Sequence, residues 1–249
     1  AGTRPDYAAR VEELGRYLGH SPDRVIVNDG DVPKELLEHY HRAGHEPVVD
    51  DLGALSSPPD VIHGHHHLET MTALLHFPRV PAVYFCHGWI PWEEMPPRFP
   101  RIYRYVAVDD VCRDRLVCEN GIPEERVEVL LNFVDLKRFG PGPSLPLRPR
   151  RALVFSNNAT EDGNLPAIRR ACAQSGLELD VIGLGVGAPC SRPEEALGGY
   201  DLVFAKARAA LEAAAVGAAV VLCDSAGLGP MVTAADLDRL RRLNFGIRC

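Results

Sequence analysis

The chain has 249 residues, 46% of them apolar, with 34 acidic against 27 basic side chains and a net charge of −7. That apolar content can bury one large core or two small ones, which excludes disorder as the main description. The acidic balance argues against a nucleic-acid surface, which needs a basic face to offset phosphate repulsion, so any anion site must be local.

In chain order, Tyr7, Val11, Leu14 and Leu18 recur at helical spacing and predict an amphipathic helix over 5–19. A short β-branched strand follows at Arg24–Asn28, then a helix over Val32–Ala43 stopped by Gly44, and a strand at Glu46–Val49. The alternation continues with strand 60–63, helix 69–76, strands 82–85 and 105–108, helix 110–119 and a closing strand at 127–131. Strands alternating with helices predict a parallel sheet covered by helices. The stretch 139–151 is rich in Pro and Gly without periodicity and reads as a linker.

The second half repeats the pattern: strand 152–155, helix 165–174, strands 179–182 and 202–204, helix 208–215 and strand 219–223. A glycine-bearing loop over 224–232 and a polar helix follow. The expected organisation is therefore an α/β protein with a first Rossmann-like domain at 1–138, a linker at 139–151 and a short, incomplete second domain at 152–249. Apolar surface left by an incomplete domain would suit a second copy, so a homo-oligomer stays open. No apolar run is long enough to span a bilayer, and Ala1-Gly2-Thr3-Arg4-Pro5 lacks the apolar core of a secretory signal, which predicts a cytoplasmic protein. The seven cysteines form no CxxC pair and sit mostly in apolar segments, the pattern of reduced structural thiols.

Chemistry concentrates at strand ends. The segment Leu202-Val203-Phe204-Ala205-Lys206-Ala207-Arg208 is a strand running into a helix, and the carboxyl edge of a parallel sheet beside a helix N-terminus is where anions bind. Lys206 and Arg208 stand at that turn against the helix dipole, a conflict that a bound anion removes. Glu212, four residues beyond Arg208, also permits an ordinary helix ion pair. Gly227 and Gly229, after the next strand, allow close backbone approach to a ligand or merely make a tight turn.

An acidic residue followed by small residues, Gly217 and a β-branched strand resembles the donor-site motif of retaining GT-B glycosyltransferases, with family four the nearest match. The resemblance implies two Rossmann-like doubly wound lobes and a nucleoside diphosphate held in a cleft between them. It also implies that Glu212 binds the ribose, while the family's earlier glutamate, eight residues upstream, is Phe204 here. The family's phosphate-binding Arg and Lys near the second lobe's first strand are replaced by Ser156-Asn157-Asn158-Ala159, which leaves Asn157, Asn158, Lys206 and Arg208 as the donor-side candidates. Residues 120–139 resemble the family's hinge-entry segment.

Histidines mark the first half. His63-Gly64-His65-His66-His67 lacks the spacing of metallohydrolase ligand sets, so no metal is expected; His65 and His66 at the strand end suit the acceptor side, or else cap the next helix. His87 in Phe85-Cys86-His87-Gly88-Trp89 resembles the first-lobe histidine that faces the donor sugar and is the catalytic candidate, acting by hydrogen bonding rather than as a nucleophile. Trp89, Pro91, Trp92, Glu93 and Glu94 follow in what reads as an irregular acceptor-side loop, since aromatic rings beside carboxylates suit sugar recognition as well as a packed loop.

The resemblance therefore implies glycosyl transfer from a nucleoside diphosphate sugar, with retention, to a small-molecule, glycan or lipid acceptor. The sugar nucleotide is a co-substrate, and no resident cofactor or nucleic-acid partner is expected. A sugar-nucleotide epimerase of the same architecture and a non-catalytic nucleotide- or partner-binding relative are the alternatives.

Overall fold

A computed structural model describes residues 24–27, 46–49, 52–55, 57–224 and 227–246. The helices expected over 5–19 and 32–43 lie outside the described residues. Two compact units result, the first ending at Val129 and the second beginning at Leu130.

In the first unit β1 (Arg24–Val27) pairs parallel with β2 (Glu46–Val49). A separate four-stranded sheet contains β3 (Ile62–Gly64), β4 (Ala82–Cys86), β5 (Ile102–Ala107) and β6 (Val127–Val129), in that order and all parallel. One face of this sheet carries Ile62, Ala82, Tyr84, Cys86, Tyr105 and Ala107, buried against Leu74 of helix α1 (His67–His76) and Leu116. Strand alternation then sends the intervening residues to the other face.

Helix α2 (Asp110–Asp114) starts at Asp109, whose carboxylate accepts the Cys112 N–H at 2.6 Å. The single helix expected over 110–119 is interrupted, because Arg115–Glu119 forms a π-helical turn. Asn120 causes it by donating both its backbone N–H (3.0 Å) and its side-chain amide (2.8 Å) to the Arg115 carbonyl. Strand β3 begins two residues later than the sequence suggests and β5 three residues earlier, its start displaced by a bulge opposite Ala82/Val83.

The second unit is a five-stranded sheet of order β11-β10-β9-β7-β8, built from β7 (Arg151–Phe155), β8 (Glu178–Ile182), β9 (Leu202–Ala205), β10 (Ala219–Asp224) and β11 (Gly227–Met231). Helices α3 (Leu165–Gln174), α4 (Pro193–Leu197), α5 (Ala207–Ala215) and α6 (Leu237–Arg242) complete it. Leu153, Val203 and Ala205 enter one core cluster and Ala152, Val154 and Phe204 another. Burial on both faces is why these strands read as unbroken apolar runs.

The loop expected over 224–232 is instead a hairpin strand: β11 pairs antiparallel with β10 at the sheet edge, the position that tolerates its Pro230. Helix α4, begun by Pro193, has too short an apolar pattern to be read from sequence. Among the described residues no helix is long and apolar enough to cross a membrane.

Arg101 closes the end of α1 and its exit turn. Its guanidinium donates to the carbonyls of Leu74, Phe77 and Val80, supplying both hydrogen bonds and positive charge where helix carbonyls lack partners. Arg101→Ala is expected to destabilise the first unit by about 1–3 kcal/mol, read as a lower urea midpoint; an unchanged midpoint would show that water replaces the guanidinium without loss.

Candidate functional site

Register builds the first unit's site. His63 lies opposite Val83 and Gly64 opposite Tyr84 in the parallel β3/β4 pair. Residues 63, 65, 85 and 87 therefore share one parity and one face, opposite the face that buries Ile62, Ala82, Tyr84 and Cys86. The structure brings them together: His63 meets Phe85 edge-on with ring centroids 4.3 Å apart, and His63 and His65 lie 4.4 Å apart. The His65 and His87 rings lie near parallel at 5.0 Å, and His65 Nδ1 is 2.7 Å from His87 Nε2.

That distance is a hydrogen bond between two imidazoles, so one ring nitrogen carries the proton and the other supplies a lone pair. Placing a proton on both facing nitrogens would abolish it. The pair is thus a unit that can pass or share one proton at the end of two strands, a geometry suited to polarising a substrate oxygen.

Behind His87 the segment to Met95 is tightly held. Its backbone N–H donates to Glu94 Oε2 at 2.9 Å, and Glu94, only 7% exposed, also has Oε1 at 3.7 Å from His66 Nε2. Residues Trp92–Glu94 form a 3-10 turn, where the sequence suggests no regular structure. His67 Nδ1 lies 2.9 Å from the Met95 carbonyl, which can only accept, so that nitrogen carries its proton. Trp89 is pinned by its indole N–H to Glu119 Oε1 at 2.6 Å, whereas Trp92 and Glu93 are exposed.

Of the residues singled out in the sequence, the structure brings His65 and His87 into contact and leaves His66, Trp92 and Glu93 exposed. Sequence reasoning missed Phe85 and Arg115. The period-two spacing of Phe85 and His87 was a usable signal for the first, but nothing marked Glu94 over Glu93. Burial also holds the Tyr84 phenol protonated, reinforced by the charge of Glu94.

In the second unit the chain runs from β7 to β8 on one side, then to β9 on β7's other side, a topological switch point between β7 and β9. Asn157 and Asn158 follow β7, while Lys206, Arg208 and Glu212 follow β9, so all the charged and amide candidates stand at this carboxyl edge. Asn157 Oδ1 accepts the Leu184 N–H at 3.1 Å, tying its loop to the one after β8, and Asn158 is exposed. Lys206 occupies the N-cap position of α5 without a side-chain cap bond.

Arg208 Nε donates to Glu212 Oε1 at 2.9 Å, and Glu212 is buried. Ala207 adopts φ 51°, a left-handed conformation that costs an alanine on the order of 1 kcal/mol and marks this turn as strained. Phe204 packs with Val154, Leu165 and Ile168, so a carboxylate at its position would be buried in apolar surroundings.

Gly227 and Gly229 lie in β11 rather than a loop, and a Cβ on Gly229 would stand 3.0 Å from the Leu222 Cβ, so its smallness serves the hairpin. The Cys223 thiol, pushed up to about 11 by burial, is no nucleophile near neutral pH. Among the described residues no group of three or more His, Cys, Asp or Glu is arranged to hold a metal ion.

Residues 51–138 match the family model described as Glycosyltransferase Family 4, a stretch containing the whole histidine face. The chain is also similar in structure to a glycosyltransferase from Rickettsia africae ESF-5, with TM-score 0.55 and 14% identity over 86% of this chain and 74% of that one. In fold the chain is similar to a GT-B glycosyltransferase. A protein provisionally designated a UDP-N-acetylglucosamine 2-epimerase from Listeria monocytogenes is likewise similar, with TM-score 0.53 and 15% identity over 89% of this chain and 77% of that one. At such identities these likenesses are of fold. No curated protein matches the chain.

Gly64 lets the site form: a Cβ there would lie 2.3 Å from Thr70 Oγ1 and 2.6 Å from its Cγ2, with Thr70 buried in the first turn of α1. Gly64→Ala is expected to destabilise the first unit by about 1–3 kcal/mol, with Thr70→Ala restoring part of the loss in the double variant. Additive losses in denaturant titrations would contradict this contact.

Proposed function

We propose that the chain transfers a sugar from a nucleoside diphosphate sugar to an acceptor, with retention of anomeric configuration. The observation that carries this reading is the His65–His87 pair at the ends of β3 and β4, inside the segment that matches Glycosyltransferase Family 4. The resemblance of His87 to the family's sugar-facing histidine gives the pair its role.

In this reaction the bond from the anomeric carbon to the diphosphate oxygen breaks. The acceptor oxygen takes the carbon, and its proton goes to the departing phosphate. Negative charge grows on the diphosphate as the bond opens, so cations already in place lower the barrier. Lys206 and Arg208 supply that charge beside the amides of the β9–α5 turn, with Asn157 and Asn158 across the switch point. Glu212 takes the ribose hydroxyls and, in the free chain, keeps Arg208 in place through their ion pair. His87, paired with His65, stabilises the reacting centre by hydrogen bonding. His66, Trp89, Trp92 and Glu93 serve the acceptor side.

The fold likeness to the designated epimerase supports a second reading, interconversion of a free sugar nucleotide. Incubating the chain with UDP-N-acetylglucosamine alone separates the two, since an epimerase forms the 2-epimer without any acceptor.

Calorimetric titration with UDP, GDP, ADP and TDP tests the donor site. One base should bind selectively, weakening by about 1–3 kcal/mol in Lys206→Ala/Arg208→Ala and in Glu212→Ala. Absence of binding by any diphosphate to the folded chain overturns the transferase reading, and selective binding without release of sugar from any donor would make the chain a non-catalytic relative.

A further inference from the structure

Two buried charged residues converge on the segment that carries His87, and the reading above uses neither. Arg115 is 6% exposed, yet it enters the π-helical turn with its guanidinium turned to the loop, donating from Nη1 to the Gly88 carbonyl at 2.6 Å and from Nη2 to the Pro91 carbonyl at 2.9 Å. Glu94 completes the hold from the other side by accepting the His87 N–H at 2.9 Å. Burying either charge carries a desolvation cost that a surface loop alone would not demand.

Geometry shows what that cost achieves. A guanidinium offers N–H groups in a fixed planar fork, so two carbonyls three residues apart are held at a set separation. The Glu94 backbone N–H itself donates to the Pro91 carbonyl at 3.2 Å, so Arg115 and Glu94 share one acceptor. The Cys86 thiol donates to the Gly88 carbonyl at 3.4 Å, joining the end of β4 to the same lattice. His87 is therefore held at its own N–H and at the next carbonyl, while its ring Nε2 stands 2.7 Å from His65 Nδ1.

We propose that Arg115 and Glu94 are positioning residues for His87, holding its backbone so that its imidazole keeps one orientation and one tautomer against His65. The inference rests on the transferase reading for its kinetic consequence only. Its structural consequence, a single ordered His87 ring, exists in the free chain. The π-helical turn belongs to the same device, since the wide turn sets the point from which Arg115 projects.

The test uses the full chain with Arg115→Lys, Glu94→Ala and Glu94→Gln. Lysine keeps the charge but cannot fork onto both carbonyls, and glutamine keeps an oxygen able to accept the His87 N–H. In long-range ¹H–¹⁵N imidazole spectra, wild type should show His87 as one tautomer. Arg115→Lys and Glu94→Ala should show averaged His87 nitrogen shifts, with Glu94→Gln close to wild type.

On whichever of UDP-glucose, UDP-N-acetylglucosamine, GDP-mannose or ADP-glucose the wild type turns over, Arg115→Lys and Glu94→Ala should lower kcat about 10- to 100-fold with KM changed less than about threefold. Glu94→Gln should recover most of the loss seen in Glu94→Ala. Unchanged His87 signals in folded Arg115→Lys protein overturn the proposal, as does a loss confined to KM. If wild type turns over no donor, the transferase reading falls while the imidazole spectra still decide the positioning role.

Discussion

Everything in the first unit's site follows from one register. Pairing His63 with Val83 puts residues of odd number from β3 and β4 on the same face, and the even-numbered Ile62, Ala82, Tyr84 and Cys86 into the core. A one-residue slip would bury the histidines and expose Tyr84, so the apolar core enforces the placement of the histidines. The short alternating patterns His-Gly-His and Phe-Cys-His are then two edges of one polar face. Gly64, between two of these histidines, is the residue that lets α1 begin close behind the strand.

The second unit relies on a different constraint, the reversal of strand order about β7. Such a reversal leaves the loops after β7 and β9 diverging at the sheet's carboxyl edge, beside the start of α5. The strained Ala207, the uncapped Lys206 and the Arg208–Glu212 pair all occur within this one turn and the helix it starts. Phe204, just before the turn, is part of the core.

Much of the fold was legible because its signals are local. Helix α3 occupies the residues its apolar spacing indicates, and β2, β7 and β10 agree to within a residue. Two of the misreadings arise from specific hydrogen bonds. The π-helical turn depends on Asn120 folding back onto Arg115, and the β11 hairpin depends on an edge of β10 being available. Neither leaves a periodic trace. At the site, histidines at strand ends drew attention to His65 and His66, and a family resemblance to His87, but the 2.7 Å contact of His65 with His87 required the register. Arg115 and Glu94 act through backbone groups, and a side chain aimed at a backbone carbonyl or amide gives no motif.

The central claim is that His65 and His87 act as one unit in sugar transfer. A double-mutant cycle on donor turnover, with His65→Ala, His87→Ala and the double variant, measures this most directly. The account predicts that kcat in the double variant falls no further than in the worse single variant, because either change already breaks the shared hydrogen bond. Losses that multiply across the two positions would contradict it and make the contact incidental to catalysis.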